Sequence, residues 1–265
     1  MKRVTRSLAE RLYADFAMPS RLPSYQRMLD AFLAAGYAFT SVELFAASDD
    51  RTPDTRRTVI LRHDIDTDPG TAEAMWRIER DRGIAASFFF RLSTVDVPLM
   101  QRIAASGSSA SYHYEELATV ARRRRLRAPE QARAHLEEAR EEFLQNIARL
   151  RAMTGLPMRL VASHGDFVNR SLGVPNTLLL EDPTFRRSAG IEFEAYDAEV
   201  MGRYTSRHSD TLYPRYWVST SPLAALQARS PRVYILVHPR HWRSAPLVNL
   251  RDDVGRLLGG LRYAW

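Results

Sequence analysis

The chain has 265 residues, 45% of them hydrophobic and 26% charged, which is the composition of a soluble globular protein long enough to bury one large core. It has no cysteine, so disulfides, thiolate metal sites and a cysteine nucleophile are excluded, while the redox compartment is left open. A net charge of +7 and a pI near 10.0 point to an anionic partner, but Lys2 is the only lysine among 38 basic residues, a bias that reads as genome composition rather than a nucleic-acid surface.

Arg6, Glu10, Arg11 and Asp15 interrupt the first 18 residues, so no secretory leader is expected there. No stretch reaches the length needed to span a bilayer, and a cytoplasmic location is the expectation. Residues 6–17 and 23–35 read as two helices. The second carries Met28, Leu29, Phe32 and Leu33 on one face and stops at Gly36. They are expected to form a layer, residues 1–57, outside the main fold, with a polar loop at Ser48–Arg57.

The central stretch is Thr58–Asp66. Val59, Ile60 and Leu61 read as a strand buried on both faces, and Arg62, His63, Asp64 and Asp66 follow at its C-terminal end. A helix is expected from Pro69 to Gly83, a strand over 84–90, a short helix over 98–105 and a strand over 108–114 ending in His113. The run Arg122–Arg125 lacks interleaved aromatics and reads as a solvated face before a long helix from Pro129 to Thr154. A strand over 158–163 ends in His164-Gly165-Asp166, and 166–190 reads as loop. Strands are expected at 191–195, 216–220 and 233–237, the last ending in His238, before a closing helix at 246–258.

Strand and helix alternate at the spacing of βα units with right-handed crossovers. No composition break marks a second domain, so one domain over 1–265 is expected, oligomeric state open. Four strand ends carry ionisable groups: Asp64 with Asp66, His113, His164 and His238. In parallel α/β folds such ends build the active site. Imidazoles and carboxylates without thiolates suit Zn²⁺ or another divalent first-row ion, with water completing the coordination.

The motifs resemble those of the NodB-homology polysaccharide deacetylases, carbohydrate esterase family 4, in the branch whose first motif reads His-Asp-x-Asp. Here that motif is Arg62-His-Asp-Ile-Asp66. Gly83–Arg91 is similar to the family's second strand, Gly107–Glu115 to its histidine motif, Ser163-His-Gly165 to its later His-Gly turn and Ile235-Leu-Val-His-Pro239 to its C-terminal motif. The resemblance covers roughly residues 58–240. It implies an α/β fold of the irregular (β/α) barrel type with extra N-terminal helices (barrel over 58–258), and metal-dependent removal of an acetyl or formyl group from an amino sugar, lipid- or nucleotide-linked or part of a surface polysaccharide. It also implies Asp64 as general base, His238 as general acid, and Asp66 and His113 as ligands of a divalent metal, zinc first. Where the family has a second ligand histidine, four residues after the first, this chain has Leu117. His164 is the candidate third ligand, with Glu115 as the substitute.

Around these, Arg62 or Arg240 is the candidate ion-pair partner of Asp64. Trp217 and Trp242 are candidates for stacking on a sugar or for core packing. Asp166, Asn169, Asn176 and Asp210 suit sugar hydroxyls or ordinary turns. His208 and His241 read as bystanders, and His135 as a solvated residue in mid-helix. Two other readings stand beside the deacylase: a catalytically degenerate barrel that binds a glycan, favoured by Leu117, and nucleic-acid binding, which rests on charge alone.

Overall fold

The computed structural model describes residues 7–48 and 57–264. Among them are eight strands: β1 (Ala38–Thr40), β2 (Thr58–Ile65), β3 (Ser87–Phe90), β4 (Ser109–Tyr114), β5 (Leu160–Ser163), β6 (Phe193–Glu194), β7 (Ser206–Ser209) and β8 (Arg232–Val237). The chain packs as two compact units, Met1–Ser87 with Arg203–Asp252 and Phe88–Gly202 with Asp253–Trp265. In the first unit β1 pairs with β2, β2 with β8 and β8 with β7, all parallel. In the second, β4 pairs with β5 and β5 with β6, again parallel. The expected α/β class of parallel strands linked by helices is what both units carry.

In the first unit Val59, Ile60 and Leu61 of β2 are fully buried, as their apolar run requires. The strand extends past its expected end at Leu61, because the ladder with β8 continues through Arg62↔Leu236 and His63↔Val237. Alternation along a strand then sends Arg62 and Asp64 to one face and His63 to the other. There Glu79 Oε1 lies 2.9 Å from His63 Nε2, and the Tyr25 hydroxyl donates to Glu79 at 2.6 Å. Tyr25 belongs to the helix Leu22–Ala34, whose buried face is Tyr25, Met28, Leu29 and Phe32. Gly36, at φ +78°, ends it, in a conformation that a side chain would strain. The preceding Leu8–Leu12 helix and the π-turn Tyr13–Ala17 are tied down by buried Asp15. Arg240 donates to its carboxylate at 3.1 Å, and Asn249 donates to its carbonyl at 2.7 Å. The extra N-terminal helices are therefore present and fastened.

Several local expectations change. Tyr216–Thr220 is not a strand; β7 is Ser206–Ser209, and Trp217 keeps a single antiparallel bridge to Asp210. Pro214 offers no N–H, and Tyr216 sits at φ +64°, which breaks an extended run. The segment 166–190 is mostly helical: Phe167–Leu172, a 3₁₀ turn Asn176–Leu180, and Pro183–Ser188. Asp166 and Asp182, read as turn residues, are N-caps. The Arg122–Arg125 run ends a helix, Glu116–Arg124, for which no sequence signal was recognised. The long helix is broken at His135 into Pro129–Ala134 and Leu136–Thr154. The closing helix continues to Ala264. Of the polar loop expected at Ser48–Arg57, residues 49–56 lie outside the described residues, as do 1–6 of the N-terminal reading. No described helix is long and apolar enough to cross a membrane.

Candidate active site

In the first unit the β2–β8 register pairs His63 with Val237, so the next position on each strand, Asp64 and His238, are neighbours. Asp64 is held by Arg62, whose Nε donates to Oδ1 at 2.7 Å and Nη2 to Oδ2 at 2.9 Å. Both side chains are buried, and Arg62 Nη1 also donates to the Tyr234 hydroxyl at 3.1 Å. A buried carboxylate needs such compensation. Arg240, the other candidate, is taken by Asp15 and Asp252, so Arg62 is the partner. Asp66 follows in the turn after β2, partly exposed.

His238 stands at the end of β8 against Asp210 from the end of β7. Its Nδ1 lies 2.6 Å from Asp210 Oδ1, and its backbone N–H donates to Oδ2 at 2.9 Å. Burial alone would lower the His238 pKa. The charge and hydrogen bond of Asp210, with smaller contributions from Asp66 and Asp64, outweigh burial and raise it to about 9. Burial likewise acts to raise the Asp210 carboxyl, but His241 and His238 hold it well below the usual carboxylate range. The pair can therefore present an imidazolium at neutral pH. Asp210 is thus not a surface group for sugar hydroxyls. Its second oxygen also accepts from Trp242 Nε1 at 2.8 Å, which makes Trp242 a core residue. Trp217 packs edge-on to it with ring centroids 6.0 Å apart. His208 Nδ1 is spent on the Thr220 carbonyl.

In the second unit His113 ends β4 and His164 follows β5, their rings 5.2 Å apart and nearly perpendicular. His113 Nδ1 lies 2.9 Å from the Ala162 carbonyl. His164 Nδ1 lies 3.2 Å from Glu115 Oε2, and Arg91 Nη2 donates to both Glu115 oxygens at 2.7 and 2.9 Å. Burial acts to raise the Glu115 pKa, but the His164 hydrogen bond and the Arg91 charge overcome it and bring it to about 2. Glu115 therefore supports His164 rather than replacing it. A carbonyl on one Nδ1 and a carboxylate on the other fix tautomers whose Nε2 lone pairs are the basic ones, the arrangement that prepares histidines for a metal. The donor chemistry fits a divalent first-row ion. Glu115, His164 and Asp166 also offer ligand atoms within 4.8 Å of one another, but Asp166 caps Val168 N at 2.8 Å and pairs with Arg122 at 3.3 Å.

Leu117 is 1% exposed; on the helix that follows β4, the position of the expected second histidine is given over to packing. Its neighbour Glu116 went unnoticed in the sequence. Burial raises its pKa to about 7 against hydrogen bonds from Tyr112 and Asn146. A cavity of about 410 Å³ in this unit is lined by His164, Gly165, Arg170, Val174, Pro175 and Tyr196, among others. Asn169 and Asn176 border it but are not poised for sugar hydroxyls. Asn169 donates to the Val174 carbonyl at 2.9 Å, and Asn176 donates to the His164 carbonyl and accepts from Ala118 N at 3.0 Å.

The structure thus brings Asp64 and His238 together in the first unit, beside Arg62 and Asp210, and His113 and His164 together in the second. Of these, Asp210's part was missed. Its signal, an acid after a polar strand, was too ordinary to stand out.

No family model matches the chain, and no curated protein does. Among solved structures it is similar to the Streptococcus pyogenes deacetylase PplD in complex with acetate, at 14% identity and a TM-score of 0.45, over 93% of this chain and 92% of that one. It is also similar to two mutants of BA3943, a CE4 family pseudoenzyme. One, with restored enzymatic activity, is at 10% identity and TM-score 0.39, and the other at 13% and 0.40, each over 77% of this chain and 64% of that one. Likeness at that level carries no chemistry across, which has to come from the residues themselves.

Proposed function

We propose that the chain is a metal-dependent carbohydrate deacylase that hydrolyses the amide of an N-acetyl or N-formyl amino sugar in a glycan or glycan precursor, lipid- or nucleotide-linked substrates included. The observation that supports it most is a buried, guanidinium-held carboxylate and a carboxylate-held imidazolium at neighbouring strand ends, Asp64 on β2 and His238 after β8. Amide hydrolysis needs one group to take a proton from water and another to give one to the departing amine. Asp64 is assigned the first task and His238 the second. Arg62 orients the carboxylate, and Asp210 fixes the imidazole with Nδ1 inward so that Nε2 carries the transferable proton.

The proposed metal ligands are Asp66, His113 and His164, on the motifs of the sequence and the Nδ1 contacts of the two histidines. A divalent ion bound there, zinc by ligand type, would supply polarisation of the acyl oxygen and a more acidic water.

The test is release of free amine from N-acetylated and N-formylated amino-sugar oligomers by metal-loaded protein, with elemental analysis beside it. About one ion per chain is expected, with turnover that Asp64→Asn and His238→Ala abolish without removing the ion. Turnover retained in either variant would unseat the acid/base assignment. Leu117 favours a second reading, a glycan-binding protein without hydrolysis; glycan binding with neither metal nor turnover would establish it.

A further inference from the structure

Asp210 has a fully buried side chain around which four N–H donors gather. Trp242 Nε1 and the His238 backbone N–H go to Oδ2. The other two come from imidazoles and converge on Oδ1: His238 Nδ1 at 2.6 Å and His241 Nδ1 at 2.9 Å. The rings stand 5.0 Å apart at 46°. The backbone enforces this, because Pro239–His241 is a 3₁₀ turn in which His241 N donates to the His238 carbonyl at 2.9 Å. Arg21 Nη1 in turn donates to the His241 carbonyl at 3.3 Å. A carboxylate oxygen offers a limited acceptor capacity, so a second charge-sensitive donor on the same atom weakens what the first receives.

We infer that His241 is a positioning residue for the proposed proton donor: by sharing Asp210 Oδ1 it loosens the carboxylate's hold on His238 and sets how readily His238 gives up its proton. This rests on the reading of His238 as general acid. An imidazolium gripped by a buried carboxylate alone is stabilised in its charged form and is correspondingly reluctant to donate. The other charged groups around the pair act differently. Asp64 and Asp66 favour the charged imidazole. Arg21 lies over the Tyr216 and Trp242 rings and feels Asp210 from there. Arg240, in the same turn, is committed to Asp15 and Asp252. Of these groups, His241 is the one that takes the oxygen His238 uses.

The test is a titration of ¹⁵N-histidine-labelled protein by NMR, following the His238 ring in wild type, His241→Phe and His241→Asn. Phenylalanine keeps the ring volume and removes the donor, whereas asparagine keeps an N–H near the Nδ1 position. The His238 midpoint is expected to rise by about half a pH unit in His241→Phe and to stay close to wild type in His241→Asn. A midpoint that is unmoved or lower in folded His241→Phe overturns the inference. Should that variant not fold, His241→Ala carries the same expectation. The titration needs no substrate. A failed deacylase assay would therefore remove the proposed function and leave the sharing of Asp210 standing, whereas an unmoved midpoint would do the reverse.

Discussion

Arg62 and Asp64 occupy one face of β2 two positions apart, and the guanidinium takes both carboxylate oxygens, at 2.7 and 2.9 Å. The strand's period of two makes that pairing possible, and burial makes it necessary. Arg62→Met should leave a buried carboxylate uncompensated. The expected result is a loss of about 3–5 kcal/mol in urea unfolding together with loss of turnover. The double change Arg62→Met, Asp64→Asn should recover much of the stability and none of the activity. If the single variant is as stable as wild type, the pair is not the buried ion pair described.

The Asp210–His238 pair predicts a pH profile. The folded His238 pKa, about 9, lies above its ordinary 6.5, so the imidazolium form is present below that value and is lost as pH rises through about 9. Its contribution to stability is complete below about 6.5 and is lost over the same rise. Activity should therefore fall on the alkaline side near pH 9. Asp210→Asn removes the main cause that raises the pKa and leaves burial, which lowers it; the alkaline fall should move towards pH 6.5 or below. An alkaline limb at the same pH in both proteins would take His238 out of the role of acid.

Glu115 predicts metal affinity without being a ligand. It holds His164 Nδ1 and is itself held by Arg91. Glu115→Gln should weaken metal binding about 10–100-fold, read by competition with a chromophoric chelator. His164→Ala should lose the ion altogether. Equal affinity in Glu115→Gln and wild type would mean that Glu115 does not orient a metal-binding histidine.

Glu116 predicts a stability term of the opposite sign to an ordinary carboxylate. Burial raises its folded pKa to about 7 from 4.5. The stabilisation is complete below about 4.5 and is lost as pH rises through about 7. Glu116→Gln, neutral at every pH, should melt at a temperature that varies less between pH 5 and 8 than wild type. A wild-type slope unchanged by the substitution would remove Glu116 as its source.

The sequence by itself determined the elements with strong local signals: the buried run Val59–Leu61, the strand ending at Val237, the helix Leu22–Ala34 and the ionisable residues at four strand ends. Apolar runs and helical periodicity arise from nearest neighbours in the chain, so one sequence carries them. It did not determine where those signals were outweighed. Asp166 and Asp182 read as turn residues and became helix caps, because the same side-chain oxygen serves either purpose. Tyr216–Thr220 has the composition of a strand, but the positive φ at Tyr216 withdraws it from the sheet. The choice of Arg62 over Arg240 for Asp64, and of Asp210 for His238, was made by tertiary packing. Ion pairs between residues 28 positions apart depend on strand register and burial, and those are properties of the folded chain.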